Sequence, residues 1–284
     1  MLGFKNEMKS IRLLIIGDVE SENVTKITEY FVPKRPFFDC VLICGPFCRE
    51  VIENREDEAK EEGNMTSIIA QLESIVCRVI YLPSDLDPVT TLVDELHLTP
   101  NSISIHARTM PLCKGLYISG FTEKDELLNS QSSNKEEKNL NDIDDEYYVE
   151  SSSSIDIIEE MFQGMAAVVK KGIEEDSSKS YLPASILILN YKYFHTLNHV
   201  LFHCGAILKK ACVSTCIIPK IEEDNVNIPS YLNGMHIIRP KSLRQGFYTV
   251  AIYECNSMTY RGNQTNSWNF KGAETYQIGI KDAI

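Results

Sequence analysis

Acidic, amide and imidazole side chains follow several short apolar runs of this sequence. Asp18 ends the run "IRLLIIGD" and Glu20 follows two residues later, while Asp85 lies just after "CRVIYLP". Asn190 ends the run "SILILN", and His203 stands near the end of "HVLFHCG". If each run is a strand of an open α/β sheet, its end is where ligands bind, so these side chains could converge. The converging set would be rich in oxygen, the ligand atom that hard cations prefer.

The short stretch "PSDLDP", residues 83–88, has the composition of a loop that holds something in place. Its two carboxylates, Asp85 and Asp87, stand between two prolines, which fix φ and offer no backbone N–H donor. The stretch predicts either a loop that grips a metal or the remnant of such a loop.

The elements that must position these residues follow from the apolar runs. In the first third of the chain, "IRLLIIGD", "FDCVLICG" and "CRVIYLP" are separated by helix-like stretches at 22–31 and 65–76. A strand, helix, strand, helix, strand order favours parallel pairing with helices on the faces of the sheet. Continuous apolar runs are typical of strands that are buried on both faces.

The rest of the chain contains more strand-like runs and fewer helices. The runs are "SISIHAR", "GLYISGF", "SILILN", "NHVLFHCG", "CVSTCIIP", "MHIIRP", "FYTVAIYE" and "TYQIGI", with one helix predicted at 155–171. Such a series predicts a second sheet. The predicted fold class is therefore α/β, a two-sheet mixed β-sandwich flanked by helices.

Charge is unevenly distributed along the chain, whose formal net charge is −12. Residues 123–150 hold ten acidic and three basic side chains, and the surrounding stretch is rich in serine and asparagine. A segment of this composition buries too little apolar surface to offset its ordering entropy. We predict a disordered acidic insertion at 123–154 within a single domain that spans residues 1–284.

Composition also bears on compartment and partners. The nine cysteines are an odd number and lie mostly in apolar runs, which is typical of a reducing compartment. No signal-peptide core and no membrane-spanning apolar run is present, so we predict a cytoplasmic or nuclear protein without a membrane partner. No basic stripe for a phosphate backbone is present either, so we expect a protein partner and no direct contact with nucleic acid.

The order of the blocks resembles the calcineurin-like metallophosphoesterases, whose strand ends carry D-x-H, G-D, G-N-H-[DE], a lone His and G-H-x-H. The resemblance covers roughly residues 11–254 and is strongest in "LLIIGDVE", "VLICGPF", "VIYLPSDLDPVT" and "RPKSLRQGFYTVAIYE". The last block is similar to the family's closing P-G-S-x-R signature, with Lys241 at the glycine. The resemblance implies the four-layer fold of that family.

Position by position, the resemblance breaks at the catalytic residues. Asp18 keeps the first metal-ligand position, whereas Glu20 stands at a histidine, Asp85 at the asparagine ligand and Asn190 at the lone histidine. His203 matches the first histidine of G-H-x-H, and Asp87 matches the acidic residue of G-N-H-[DE]. Two further departures affect the mechanism: Pro46 replaces the metal-bridging aspartate, and Leu86 replaces the histidine usually assigned as general acid.

Those two departures predict the loss of the family's ordinary mechanism. Two divalent cations about 3.5–4 Å apart need anionic bridges, and Pro46 has no side-chain oxygen. Leu86 has no proton for a leaving alkoxide, a step typically worth about 10² to 10⁴ in rate. The primary interpretation is a non-catalytic binding or scaffold module. The alternative is a divergent phosphoesterase with one divalent cation, Mg²⁺, Mn²⁺ or Ca²⁺, held by Asp18, Glu20, Asp85, Asn190 and His203.

Three further patterns have weaker support. His195, His199 and His203 recur every four residues, which on a helix would suit zinc, but the run looks strand-like and has no H-E-x-x-H glutamate. Cys40, Cys44 and Cys48 are spaced by three residues, and the zinc knuckle requires two. Cys204 beside His203 could be a nucleophile and base, but adjacent strand residues point to opposite faces.

Overall fold

The computed structural model describes residues 10–34, 37–48, 52, 55–88, 97–122, 143–176, 180–190, 200–219 and 229–279, without 261–262. For residues 55, 143–157, 258, 260, 263 and 264 it describes the backbone alone.

The first sheet has seven strands and mixed pairing. They are β1 (Ser10–Ile16), β2 (Cys40–Cys44), β3 (Val79–Leu82), β4 (Ser102–Ser104), β7 (Tyr181–Leu182), β12 (Phe247–Tyr260) and β13 (Asn263–Gln277), in the spatial order β4-β3-β2-β1-β12-β13-β7. Strands β1 to β4 pair in parallel, so their carboxyl ends lie at one edge of the sheet. The long strand β12 pairs antiparallel with β1 on the other side.

The second sheet has six strands and is also mixed. They are β5 (Arg108–Cys113), β6 (Leu116–Thr122), β8 (Ala184–Asn190), β9 (Val213–Ile217), β10 (Tyr231–Leu232) and β11 (Met235–Ile238), in the order β10-β11-β9-β8-β6-β5. Strands β6, β8, β9 and β11 are parallel, and the two outermost strands, β5 and β10, are antiparallel to their neighbours.

Helices cover the outer face of each sheet. Helices α1 (Ser21–Phe31) and α2 (Arg55–Leu72) pack on the first sheet, and a 3₁₀ turn, Val32–Lys34, follows α1. Helices α3 (Ile143–Glu175) and α4 (Gly205–Lys210) pack on the second sheet. The order of layers is therefore helices, sheet, sheet, helices.

Alternation along β1 explains why both faces of the first sheet are apolar. Leu13 and Ile15 point into the core between the sheets, whereas Leu14 and Ile16 point toward the helices, and all four are fully buried. Successive side chains of a strand point to opposite faces, so a strand covered on both faces must be apolar throughout. The prediction of an α/β fold with two mixed sheets flanked by helices is confirmed.

The run "NHVLFHCG" is not a strand, and that prediction was wrong. Residues 200–203 are helical, and the Cys204 N–H donates to the Val200 carbonyl at 2.8 Å. Val200, Leu201, Cys204 and Leu208 are buried together against the second sheet. Their spacing places them on one helical face, which a short apolar run does not distinguish from a strand.

The acidic insertion was predicted at 123–154. Residues 143–154 have a helical backbone and begin α3, and the disorder predicted for the insertion stays a prediction. Residues 143–154 continue directly into the helix that was predicted at 155–171. Ile158, Phe162 and Met165 of that helix are buried against the second sheet. Residues 123–142 lie outside the described residues. Within the described part of the chain, no helix is long and apolar enough to cross a membrane.

Candidate functional site

The candidate site lies where β1, β2 and β3 end. Asp18 follows β1 and adopts a left-handed backbone with φ of 46°, a conformation that aspartate tolerates better than most residues. Gly45 follows β2 with φ of 153°, and a Cβ there would lie 2.6 Å from the backbone nitrogen of Asp18. Only glycine permits this approach, which brings the "GDVE" and "CGPF" turns together.

The Asp18 carboxylate is fully engaged by residues from the segment before β12. Oδ2 accepts a hydrogen bond from the Ser242 hydroxyl at 2.6 Å, and Oδ1 accepts one from Nε of Arg244. Both charged side chains are mostly buried, with exposed fractions of 19% for Asp18 and 16% for Arg244. Charge-assisted hydrogen bonds of this kind are stronger than neutral ones.

Backbone bonds fix the position of Arg244. The Leu243 N–H donates to the Gly17 carbonyl at 2.7 Å, and the Arg244 N–H donates to the Asp18 carbonyl at 3.2 Å. The guanidinium also donates through Nη2 to the Phe47 carbonyl at 3.3 Å. Arg244 therefore connects the turns that follow β1 and β2, and its cation lies beside the Asp18 carboxylate.

Glu20 belongs to a second polar contact at the start of α1. Nδ2 of Asn23 donates to Glu20 Oε2 at 3.3 Å and to the Leu243 carbonyl at 2.9 Å. Asn23 is buried and Glu20 is half-buried. Glu20 thus lies close to the Asp18 and Arg244 pair, on the side of α1.

The loop "PSDLDP" binds the neighbouring loop of the same chain, the one that follows β2, through the carboxylate of Asp87. Asp87 is 3% exposed. Its Oδ1 accepts the N–H groups of Phe47 at 2.8 Å and Cys48 at 2.9 Å, and its Oδ2 accepts that of Ser84 at 2.8 Å. Burial raises the pKa of Asp87 to about 6, while the N–H donors of Ser84, Cys48 and Phe47 act in the opposite direction.

The other members of this loop have different environments. Asp85 is exposed, and Leu86 packs partly buried against the core beneath the helices of the first sheet. Because β2 lies between β1 and β3, the strands that precede Asp18 and Asp85 are about 10 Å apart. The two carboxylates share an edge of the sheet, and Pro46 stands between them at the end of β2. The Pro46 carbonyl accepts the N–H of Val19 at 2.9 Å.

Asn190 lies at the end of β8 in the second sheet. It is the ladder partner of Thr122 at the end of β6, and the Thr122 hydroxyl donates to the Pro83 carbonyl. The ends of β6 and β8 therefore lie on the same side of the molecule as the loop after β3. Nδ2 of Asn190 is buried and has no hydrogen-bond partner among the described residues.

His203 does not lie at a strand end, and its predicted placement was wrong. It is exposed on the helical segment 200–203, and its Nε2 lies 3.7 Å from Glu159 of α3. A helix is the conformation in which histidines spaced by four residues could bind zinc together. His195 and His199, however, lie outside the described residues. Burial raises the pKa of Cys204 to about 11, which keeps this thiol protonated and disfavours it as a nucleophile.

The structure thus brings Asp18 and Glu20 together, places Asp85 and Asn190 at the same edge, and puts His203 on a helix. No group of three His, Cys, Asp or Glu side chains in the described ranges is close enough to hold a metal ion. The single divalent cation stays a prediction. Ser242 and Arg244 were not predicted as site residues, although they are the serine and arginine of "PKSLR", quoted only as a strand signature.

Comparisons with known proteins add little to this geometry. No protein-family model matches the chain, and no curated protein matches it. The crystal structure of TT1561 of Thermus thermophilus is similar at a TM-score of 0.46 and 10% sequence identity, covering 84% of this chain and 93% of that one. A second solved structure has a TM-score of 0.46 and 11% identity, covering 95% of this chain and 100% of that one.

Asp87→Asn should destabilise the protein by about 1–3 kcal/mol at neutral pH, because the asparagine amide leaves at least one buried N–H without an acceptor. Urea denaturation of the variant and the parent protein measures this difference. Asp85→Asn is the matched control, since it makes the same change two residues away on an exposed side chain, and should stay within about 0.5 kcal/mol. Equal effects at both positions would contradict the role of Asp87.

The effect of Asp87→Asn should also depend on pH. Because the folded pKa of about 6 lies above the ordinary value of 3.8, the folded protein binds this proton more tightly than the unfolded chain does. The resulting stabilisation is present below the unfolded pKa and is lost as the pH rises through about 6. The difference in free energy of unfolding between parent and variant should therefore shrink from pH 4 to pH 7. A difference that grows over this range would mean that the three N–H donors outweigh burial.

Proposed function

We propose that the chain is a non-catalytic member of the calcineurin-like metallophosphoesterase fold that acts as a binding or scaffold module. One observation carries the proposal: the Asp18 carboxylate, at the first metal-ligand position of the resemblance, is bound to the Arg244 guanidinium and the Ser242 hydroxyl. A metal ion from solution would have to displace the Arg244 guanidinium from the Asp18 carboxylate.

Arg244 would compete with any metal ion for the Asp18 carboxylate. Its guanidinium stays charged at every ordinary pH, and the backbone N–H of Arg244 is fixed by the Asp18 carbonyl. Removing one partner of a largely buried charge pair leaves the other charge uncompensated, which typically costs about 3–5 kcal/mol. Metal binding at Asp18 would have to offset a cost of that kind, which supports a site that holds no resident metal.

Two neighbouring positions support the same proposal. Pro46 contributes its carbonyl to the Val19 N–H and has no side-chain oxygen to bridge two cations. Leu86 packs against apolar residues and has no proton to donate. The acidic residue of the same loop, Asp87, holds the backbone of residues 47–48 and 84. Asp18, Pro46, Leu86 and Asp87 thus each have a structural contact at a position that the resemblance connects with chemistry.

The proposed role is to present a rigid surface to a protein partner. The edge formed by the ends of β1, β2 and β3 is cross-connected by charged and backbone bonds, so its turns are fixed before a partner arrives. The net charge of −12 favours a partner with a basic surface. Fold resemblance alone does not determine activity, so the charge-compensated site is what argues for binding over catalysis.

Mn²⁺-supplemented protein should hydrolyse aryl phosphomonoesters and phosphodiesters no faster than a buffer blank. Both missing groups act on the transition state, so substrate binding without turnover would agree with the proposal. Release of the aryl alcohol, followed by absorbance, measures the rate. Robust turnover that Asp18→Asn abolishes and Asp39→Asn leaves intact would establish the single-cation phosphoesterase instead. Asp39 is the matched control because it lies just before β2, away from the carboxyl ends of the strands.

Arg244→Gln should convert the site into one that responds to metal. Removing the guanidinium frees the Asp18 carboxylate, so Mn²⁺ at ten times its dissociation constant should stabilise the variant by about 1.4 kcal/mol. Thermal denaturation with and without Mn²⁺ gives this difference for each protein, whatever the variant's own starting stability. Ser242→Ala, which keeps Arg244, is the control and should not respond. A parent protein that responds as strongly as Arg244→Gln would show that the guanidinium does not exclude the cation.

A further inference from the structure

Two cysteines from different sheets lie in the same core between the sheets, at the edge opposite to the candidate site. Cys113 ends β5 in the second sheet, and Cys255 lies in β12 of the first. Cys255 is one residue beyond Glu254, the ladder partner of Ser10 at the start of β1, whereas Asp18 follows the end of β1. Both cysteines contact the core between the sheets, where Cys113 is 6% exposed and Cys255 is partly buried.

The indole of Trp268 connects the two positions. Trp268 is the ladder partner of Cys255 in β13, and its Nε1 donates to the carbonyl of Lys114, the residue after Cys113, at 2.9 Å. Ladder partners point to the same face of a sheet, with Cβ atoms about 4.5–5.5 Å apart. The thiol of Cys255 therefore lies on the side of its strand that faces the turn containing Cys113. Burial raises the pKa of Cys113 to about 12, with a smaller contribution from Cys255, so this thiol reacts slowly and its oxidation is favoured by alkaline pH.

We propose that Cys113 and Cys255 form a redox modification site, in which a peroxide converts the two thiols into a disulfide between the sheets. In the first step the Cys255 sulfur attacks the O–O bond of hydrogen peroxide, which yields a sulfenic acid and releases one water. In the second step the Cys113 sulfur attacks the Cys255 sulfur, the S–S bond forms, and the hydroxyl leaves as a second water. Two thiols lose two electrons and two protons, and one peroxide gains both.

Exposure sets the order of the two steps. Cys255 is only partly buried and is the more exposed of the two, so peroxide reaches it first, while Cys113 is buried and serves as the resolving thiol. Cys40 is also in the core between the sheets, but it is fully buried and lies on β2. Cys77 is exposed and can be oxidised without a partner from the core. The inference does not rest on the proposed function, because it concerns the other end of the first sheet.

The disulfide would connect two strands that are far apart along the chain. Cys113 and Cys255 are separated by 142 positions (255 − 113), so the bond closes a long loop of the unfolded chain. A long closed loop constrains the unfolded state most strongly. The oxidised protein should therefore denature at a temperature about 5 °C or more above that of the reduced protein.

The experiment uses the full chain, reduced, desalted and then treated with hydrogen peroxide at mildly alkaline pH. After N-ethylmaleimide quenches the remaining thiols, proteolysis and mass spectrometry should identify a peptide pair joined through Cys113 and Cys255. Trp268 is the single tryptophan of the chain, so its fluorescence reports this site alone. A disulfide in contact with an indole quenches it, so the emission should fall during oxidation and recover on reduction.

Three variants make the fluorescence result specific. Cys255→Ser and Cys113→Ser should each abolish the fall in emission and the rise in denaturation temperature. Cys77→Ser, which removes an exposed cysteine outside the pair, should retain both. A bond between Cys113 and Cys40, or sulfinic acid at Cys255 with Cys113 still free, would overturn the proposal. The peptide map of the unsubstituted chain decides the question even if a variant fails to fold.

Discussion

The ion pair between Asp18 and Arg244 is the interaction on which the candidate site depends. It joins positions 226 residues apart, at the place where the segment before β12 meets the end of β1. Because the same guanidinium reaches the Phe47 carbonyl, the pair also fixes the turn after β2. Asp87 then binds that turn to the loop after β3. Three strand ends are therefore held together by side chains of the protein.

Charge compensation within the chain changes how the acidic residues of the edge should be understood. Several carboxylates close together repel one another unless a cation is present. Here a buried arginine neutralises Asp18, backbone N–H groups surround Asp87, and solvent surrounds Asp85. The proposal of a binding module follows from this distribution, since the two carboxylates that are shielded from solvent, Asp18 and Asp87, already have partners within the chain. Nδ2 of Asn190 is one buried polar atom at this edge that has no hydrogen-bond partner among the described residues.

The sequence predicted the parts of this molecule that depend on local patterns. Apolar runs located β1, β2 and β3, and the polar residues after them correctly predicted a shared edge. The partner of Asp18 was not predictable in this way, because Arg244 reaches it only through the pairing of β12 with β1. Asp85 and Asp87 look equivalent in "PSDLDP", and the turn geometry decides which one is buried. His203 was misplaced because an apolar run of about eight residues fits a helix as well as a strand.

The pairing of β1 with β12 also has a consequence for the order in which the protein can fold. β1 lies in the middle of the first sheet, yet Ser10 and Ile15 find their antiparallel partners at Glu254 and Thr249. During synthesis, the unit of β1, α1, β2, α2 and β3 emerges long before those partners, with one edge of its central strand uncovered. Contacts between such distant positions slow folding and leave intermediates prone to aggregation. A nascent chain that ends before residue 249 would therefore leave one edge of the apolar strand β1 unpaired.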